Sequence, residues 1–147
     1  MRCVIQKVNF SKVEVGGKIV SEIKRGLNVL VGFTDTDTIE DMKYCVKKIT
    51  NLRVFEDSND VMNLSVLDVG GEILCISQFT LYGDVKKGNR PSYIAALSGD
   101  KASPMYDEFC NMLNEVVHTE KGVFGADMKV EILNDGPTTI LIDTDKK

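Results

Sequence analysis

Three polar side chains, Ser77, Gln78 and Thr80, follow directly on the apolar run Ile73-Leu-Cys-Ile76. A buried strand normally excludes such groups, so a strand that delivers them at its end reads as a rigid support for a site. The hydroxyls at 77 and 80 could attack a carbonyl carbon, but only beside a base that takes the proton. The chain has one histidine, His118, which the apolar pattern places in the last turn of a predicted helix. There the dipole favours an imidazolium, a structural role. A Ser-His-Asp or Cys-His site would have to use it, and a histidine-rich metal centre is excluded. Cys3, Cys45, Cys75 and Cys110 are scattered without CxxC spacing and read as buried, reduced thiols. No metal and no cofactor are expected.

Two further stretches carry chemistry. Lys86, Lys87 and Arg90 lie in the loop Val85-Lys-Lys-Gly-Asn-Arg-Pro91, just past the candidate site, where a substrate phosphate would be held. The loop has no GxxxxGK[ST] pattern and is not a P-loop. A net charge of −4 argues against indiscriminate nucleic-acid binding and leaves room for such a local basic patch. Asn134-Asp-Gly-Pro-Thr-Thr139 reads as a turn between two antiparallel strands, with Asp135-Gly136 providing the reversal. Such a turn needs no proline. X-Pro bonds alone go cis at low cost, so Gly136-Pro137 points to a fixed, unusual backbone.

The elements that must position these residues follow from periodicity. Residues 1–9 form a strand, and Val13-Glu-Val15 and Lys18-Ile-Val20 flank a Gly16-Gly17 hairpin turn. Leu27–Phe33 is apolar enough for a central strand. Asp37 is the expected cap of a first helix, with Glu40 in capping-box spacing and Met42, Cys45, Val46 and Ile49 on one face. Asp57, Asn59 and Asp60 lack the glycine and closing glutamate of a calcium loop and read as a solvated turn. A short strand near Val61–Val66 and a Gly70-Gly71 turn lead into the Ile73 strand, which Gly83-Asp84 stops. Ser103 and Pro104 open the second helix as N-cap and first residue, with a stripe from Met105 through Phe109 and Leu113 to Val117. Lys121–Ala126 is a connection, and Met128–Leu133 and Ile140–Asp143 are strands. At 147 residues the chain has room for one domain, 1–147, with a real core. No apolar run approaches the roughly 20 residues that span a bilayer, and the first residues lack a secretory signal, so the expected setting is the cytoplasm.

Ser77-Gln-Phe-Thr80 and Asn134–Thr139, in this order and at this chain length, resemble the two signature motifs of the D-aminoacyl-tRNA deacylases. The resemblance extends to Met1–Val8, to Lys86–Ser92 and to Gly122-Val-Phe-Gly-Ala-Asp-Met128. It implies a compact α/β fold, a curved mixed or antiparallel barrel-like sheet with two packed helices, forming a homodimer. It implies hydrolysis of the ester between a D-amino acid and tRNA, and of glycine misplaced on tRNA, as chiral proofreading. Ser77, Gln78, Phe79 and Thr80 would then form the catalytic strand end, with Phe124 and Met128 on the substrate. The Gly136-Pro137 bond would be cis and reach into the partner's pocket, and Lys86, Lys87 and Arg90, with Lys47 and Lys48 as further candidates, would meet tRNA phosphates. Two positions depart from the family pattern: Lys7 stands where Arg is usual and Thr138 where Val is usual. Lysine keeps the charge near the turn but loses the planar fork.

For an ester, already activated relative to an amide, the residues favour a positioned water assisted by the ribose 2′-hydroxyl. Backbone N–H groups at Phe79 and Thr80 would hold the oxyanion, an effect of about 3 kcal/mol per donor. Carbonyls of Gly136-Pro137 would hold the substrate ammonium and occupy the space an L side chain needs. The alternatives are an esterase with Thr80 as nucleophile, and a noncatalytic nucleic-acid-binding protein.

Overall fold

The computed structural model describes residues 1–147, with eight strands and two helices. β1 (Arg2–Val15) turns at Gly16-Gly17 into β2 (Lys18–Ile23), and β3 (Gly26–Gly32) follows. Both turn glycines have positive φ, 57° and 79°, as the two-residue hairpin requires. β1 joins two predicted strands into one: a register shift at Asn9 bends its pairing with the last strand without ending it, and Phe10–Lys12 pair on continuously. α1 (Ile39–Asn51) buries Met42, Cys45, Val46 and Ile49 as its periodicity predicts, but its cap is Thr38 rather than Asp37. Thr38 and Asp41 form a capping box. Asp37 is drawn elsewhere, accepting from the Thr34 N–H at 2.8 Å and from the Met1 ammonium.

β4 (Phe55–Glu56) and β5 (Met62–Leu64) form a separate ribbon. In the loop between them Asp57 Oδ1 accepts from the Asn59 and Val61 N–H groups, which gives the acidic cluster a turn-forming role. β6 (Glu72–Ser77) ends before the predicted Gly83 stop: past Gln78 the chain coils into a 3-10 turn, Phe79–Tyr82. α2 (Gly99–Asn114) starts a turn earlier than Ser103-Pro104 implies. Pro104 falls in its second turn, where the carbonyl it leaves unpaired, that of Asp100, belongs to an exposed residue. His118 lies beyond the helix and is exposed, with Nε2 3.0 Å from Glu120 Oε1, so it does not cap the helix end. β7 (Thr119–Lys121), too short to show a period, follows it, and β8 (Lys129–Asp143) runs into a 3-10 turn, Thr144–Lys146.

The expected turn at Asn134–Thr139 does not reverse the chain. Lys129–Asn134 pairs with Val8–Glu14, and Thr139–Asp143 pairs with Arg2–Gln6, so both halves run antiparallel to one long β1. Asp135, Gly136, Pro137 and Thr138 bulge out opposite Lys7. The Gly136–Pro137 peptide bond is cis, and Gly136 has φ 120°. Turn residues in a strand of this length make a bulge when both flanks find the same partner.

The main sheet runs β2-β1-β3-β6-β7, with β8 on the other edge of β1. β1 pairs antiparallel with its neighbours, whereas β3–β6 and β6–β7 are parallel. Parallel neighbours need a crossover, and α1 and α2 supply one each. The helices pack on one face, where Phe33 meets Phe109 edge-on at 6.4 Å in a core of 22 buried residues. The sheet curls so that β2 comes back against β6 and β7. Inside this barrel-like curl lies a smaller cluster of Val8, Val13, Ile23, Leu74 and Ile76, with no helical member. The architecture is α/β with a curved mixed sheet and two helices, as the resemblance implies.

Candidate active site

In parallel α/β sheets, ligand sites form beyond the carboxyl ends of the strands. Here β3 and β6 end side by side, with Val31 paired to Ser77. Their carboxyl ends open on a cavity of about 570 Å³, lined by Ser77, Gln78 and Phe79, by Val31–Phe33, and by Phe124–Met128. Gly99 and Ala102 bring the start of α2 to the same wall. Two glycines allow this close approach. A Cβ at Gly32 would sit 2.8 Å from the Gln78 carbonyl, and one at Gly122 would sit 2.8 Å from Met128 Sδ.

The strand end is held firmly. The Gln78 N–H donates to Val31 O at 2.7 Å, and Leu81 N–H makes the first bond of the 3-10 turn, to Gln78 O at 3.3 Å. That leaves the amides of Phe79 and Thr80 at the open start of the turn, where a helical turn lacks internal acceptors. Behind the strand, buried Tyr106 of α2 donates to Cys75 O at 2.7 Å, and Gly122 N–H donates to the same carbonyl at 3.1 Å. The Tyr106 ring also lies 5.9 Å from that of Phe124. One carbonyl thus ties α2, β6 and the Gly122–Met128 loop together. Burial first, and then the neighbouring Cys75, push the Tyr106 hydroxyl well above its usual range, so it remains a neutral donor.

The predicted residues do not all meet. Ser77, Gln78, Phe79, Phe124 and Met128 share the cavity, but Thr80 does not line it. Thr80 is exposed, and its Oγ1 accepts from Gln78 Nε2. Gly136 and Pro137 are exposed on β8 and do not line the cavity of their own chain. Lys87 and Arg90 line a second cavity of about 370 Å³ with Tyr82, Asp84, Ser92, Ile94 and Ala95. Lys86 does not line it; its N–H donates to Asp84 Oδ1 at 2.9 Å. None of the three basic side chains is in an ion pair. Lys47 and Lys48, on α1, line neither cavity.

Sequence reasoning missed the facing wall, Val31–Phe33, Leu97, Gly99 and Ala102, and it missed Asp127. Asp127 is the one ionisable residue among those lining the main cavity. Its side chain is 89% exposed and faces Lys129 Nζ at 3.4 Å. The wall carries no polar side chain that could have signalled it. Asp127 stands within the Gly122–Met128 motif and was hidden by its neighbours.

Fold and site define a class: an α/β protein with a largely apolar pocket beyond the carboxyl ends of two parallel strands and one ionisable residue in its lining. The chain belongs to the D-Tyr-tRNA(Tyr) deacylase family, whose model matches residues 4–143. It is 56% identical over 147 residues to a D-aminoacyl-tRNA deacylase of Clostridium botulinum (strain Eklund 17B / Type B), covering 99% of each chain. It is 55% identical over 148 residues to that of Clostridium novyi (strain NT), covering all of this chain and 99% of the other. Among solved structures, a c-Myc DNA Unwinding Element Binding Protein superposes with a TM-score of 0.93 at 42% identity, over 98% of this chain and 99% of the other. A "probable eukaryotic D-amino acid tRNA deacylase" superposes with a TM-score of 0.81 at 19% identity, over 96% and 97% of the two chains, and shares the fold.

Proposed function

We propose that this protein, acting as a single domain, hydrolyses the ester joining a D-amino acid, or glycine, to tRNA. The observation that carries this reading is the pocket at Ser77–Phe79, beside the open start of the 3-10 turn, whose one ionisable lining residue, Asp127, is exposed and faces Lys129. An ester needs only modest catalysis. A water attacks the carbonyl carbon, the acyl C–O bond to the ribose oxygen breaks, and the water's proton passes by way of the vicinal 2′-hydroxyl to that departing oxygen, leaving the free amino acid and tRNA. The amides of Phe79 and Thr80 hold the oxyanion, each worth about 3 kcal/mol. Thr80 Oγ1 already accepts from Gln78 and has no base beside it, which weighs against its acting as nucleophile.

Chirality is assigned to a second copy of the chain. Gly136 and Pro137 are exposed and outside the lining of their own pocket, so their carbonyls are free to enter a partner's pocket in a homodimer. There they hold the substrate ammonium and occupy the space of an L side chain. Glycine, which has no side chain to clash, passes. Lys87 and Arg90, with Lys86 nearby, meet the tRNA phosphates, and the setting is the cytoplasm, where charged tRNA is used.

The name of the 42% identical neighbour motivates a second reading, nucleic-acid binding without catalysis. The deciding experiment is deacylation of D-Tyr-tRNA against L-Tyr-tRNA. Rapid release of D-Tyr alone supports the proposal. Binding without release of either amino acid supports the second reading. A companion test pairs Thr80→Ala with a substrate ending in 2′-deoxyadenosine. Loss of turnover in Thr80→Ala with a normal deoxy substrate would restore the Thr80 nucleophile.

A further inference from the structure

The basic cavity and the main pocket are joined by an exposed aromatic pair. The rings of Phe79 and Tyr93 meet edge-on, with centroids 5.0 Å apart at 69°. Phe79 lines the main pocket, and Tyr93 stands between Ser92 and Ile94, which line the basic one. The backbone fixes this placement. Asp84 and Ser92 exchange N–H···O bonds of 2.8 and 2.9 Å, closing the basic loop Val85–Pro91 at its base. The chain leaving that closure lays Tyr93 over Gly83, where an added Cβ would lie 3.1 Å from the ring.

These two rings and the isoleucine beside them are not spent on the core. Phe79 is 56% exposed, Tyr93 39% and Ile94 95%. Exposed apolar rings beside unpaired cations, in a chain of net charge −4, are the pattern of a single-strand track. Cations follow the phosphates, and rings take the π-faces of bases without regard to sequence.

We propose that Tyr93, with Phe79 and Ile94, is a stacking shelf for the single-stranded 3′ end of the tRNA. The strand leaves its phosphates at Lys87 and Arg90, stacks a base on Tyr93, and enters the main pocket past Phe79. The inference rests on the deacylase reading, because it takes the ester-bearing nucleotide to lie in the main pocket.

The test uses the full chain and variants Tyr93→Ala, Tyr93→Leu and Tyr93→Phe. Each is assayed on D-Tyr-tRNA and on D-tyrosyl-adenosine, which lacks the upstream nucleotides. Binding of an uncharged RNA minihelix with a single-stranded CCA end is measured by anisotropy. Tyr93→Ala should weaken minihelix binding and raise KM for D-Tyr-tRNA by about tenfold. D-tyrosyl-adenosine cleavage should change less than twofold, and Tyr93→Phe should behave as wild type. Tyr93→Leu keeps apolar area without a ring and should resemble Tyr93→Ala. Equal loss on both substrates, or unchanged minihelix binding, overturns the shelf. So does a change of oligomeric state in sedimentation, which would assign the patch to a second copy of the chain. If wild type cleaves neither substrate, the deacylase reading fails, while minihelix binding still decides whether Tyr93 contacts RNA.

Discussion

Lys7 and Glu56 join the central strand to the small ribbon: Lys7 Nζ donates to Glu56 Oε1 at 2.6 Å, with the lysine 2% and the glutamate 39% exposed. Asp135 Oδ2 is the second anion, at 3.9 Å. Lys7 is the β1 residue that faces the Asp135–Thr138 bulge, so this buried ammonium sits under the segment assigned to chiral selection. Its hydrogen bond first, with smaller help from its own charge and that of Arg25, holds the Glu56 carboxyl below its usual value.

The pair should respond unequally to its two deletions. Removing the lysine frees two half-exposed carboxylates, which water can solvate. Removing the glutamate leaves a buried ammonium with only the distant Asp135. Glu56→Gln is therefore expected to lower the urea midpoint more than Lys7→Met. The sign with pH follows from the depressed carboxyl. Its contribution is complete above the unfolded-state value of a glutamate and is lost as pH falls through the folded one. That acid-range loss should be smaller in Glu56→Gln, and an unchanged acid limb would remove the link.

Gly136 is required by its backbone. At φ 120° an L side chain is strained, and a Cβ would come within 2.7 Å of Thr138 Oγ1 and 3.1 Å of Thr138 N. Gly136→Ala is expected to cost about 1–3 kcal/mol, read by urea unfolding. On the proposed function it should also depress D-Tyr-tRNA turnover. Wild-type stability and turnover together would show that the bulge accepts a side chain.

The helix α1 and the Gly16-Gly17 hairpin were legible because the signal for each lies within a few consecutive residues. So was the half of the pocket at Ser77–Phe79, since polar residues at the end of a buried strand stand out locally. The facing wall was not, because Val31 meets Ser77 only through parallel pairing, and Leu97 and Ala102 arrive on a crossover. Asn134–Thr139 misled for a related reason. Asp, Gly and Pro make the same local pattern in a reversal and in a bulge, and the distinction rests on β1, which pairs with both flanks. Ser103-Pro104 likewise looks like a helix start, although α2 begins at Gly99 and carries the proline within it.

Tyr106 tests how the pocket is supported. Tyr106→Phe keeps the ring beside Phe124 and removes the donor to Cys75 O, which retains the Gly122 N–H. Because one partner survives, a loss of about 1 kcal/mol is expected rather than collapse. With its hydroxyl held neutral by burial, Tyr106 should also be absent from the alkaline absorbance titration of the folded chain. One more tyrosine titrating in the folded wild type than in Tyr106→Phe would contradict its burial.

Asp41 sets an acid limit at the other end of the molecule. Its carboxylate accepts from Lys147 Nζ at 2.6 Å and from the Thr38 N–H at 2.9 Å. The lysine first, then the Thr38 amide and hydroxyl, lower its pKa to about 2, against opposition from burial. The stability this group adds is complete above about pH 4, the unfolded-state value, and is lost as pH falls through about 2. Asp41→Asn should flatten stability across that window and leave the slope above pH 5 alone, as followed by circular dichroism.

The proposed mechanism, which uses no side-chain base, makes a kinetic prediction. An esterase that relied on imidazole would lose rate as the histidine gains its proton near neutral pH. Here the one histidine, His118, is exposed next to Glu120, and the one ionisable lining residue, Asp127, is exposed next to Lys129. On the proposed function the water is held at the Phe79 and Thr80 amides, and neither side chain takes its proton. His118→Ala and Asp127→Asn are therefore each expected to keep kcat on D-Tyr-tRNA within about twofold of wild type, since a general base contributes about 10²–10⁴. The wild-type pH–rate profile should lack a limb that either substitution abolishes. A hundredfold loss in either variant would identify a general base and return the mechanism to side-chain catalysis.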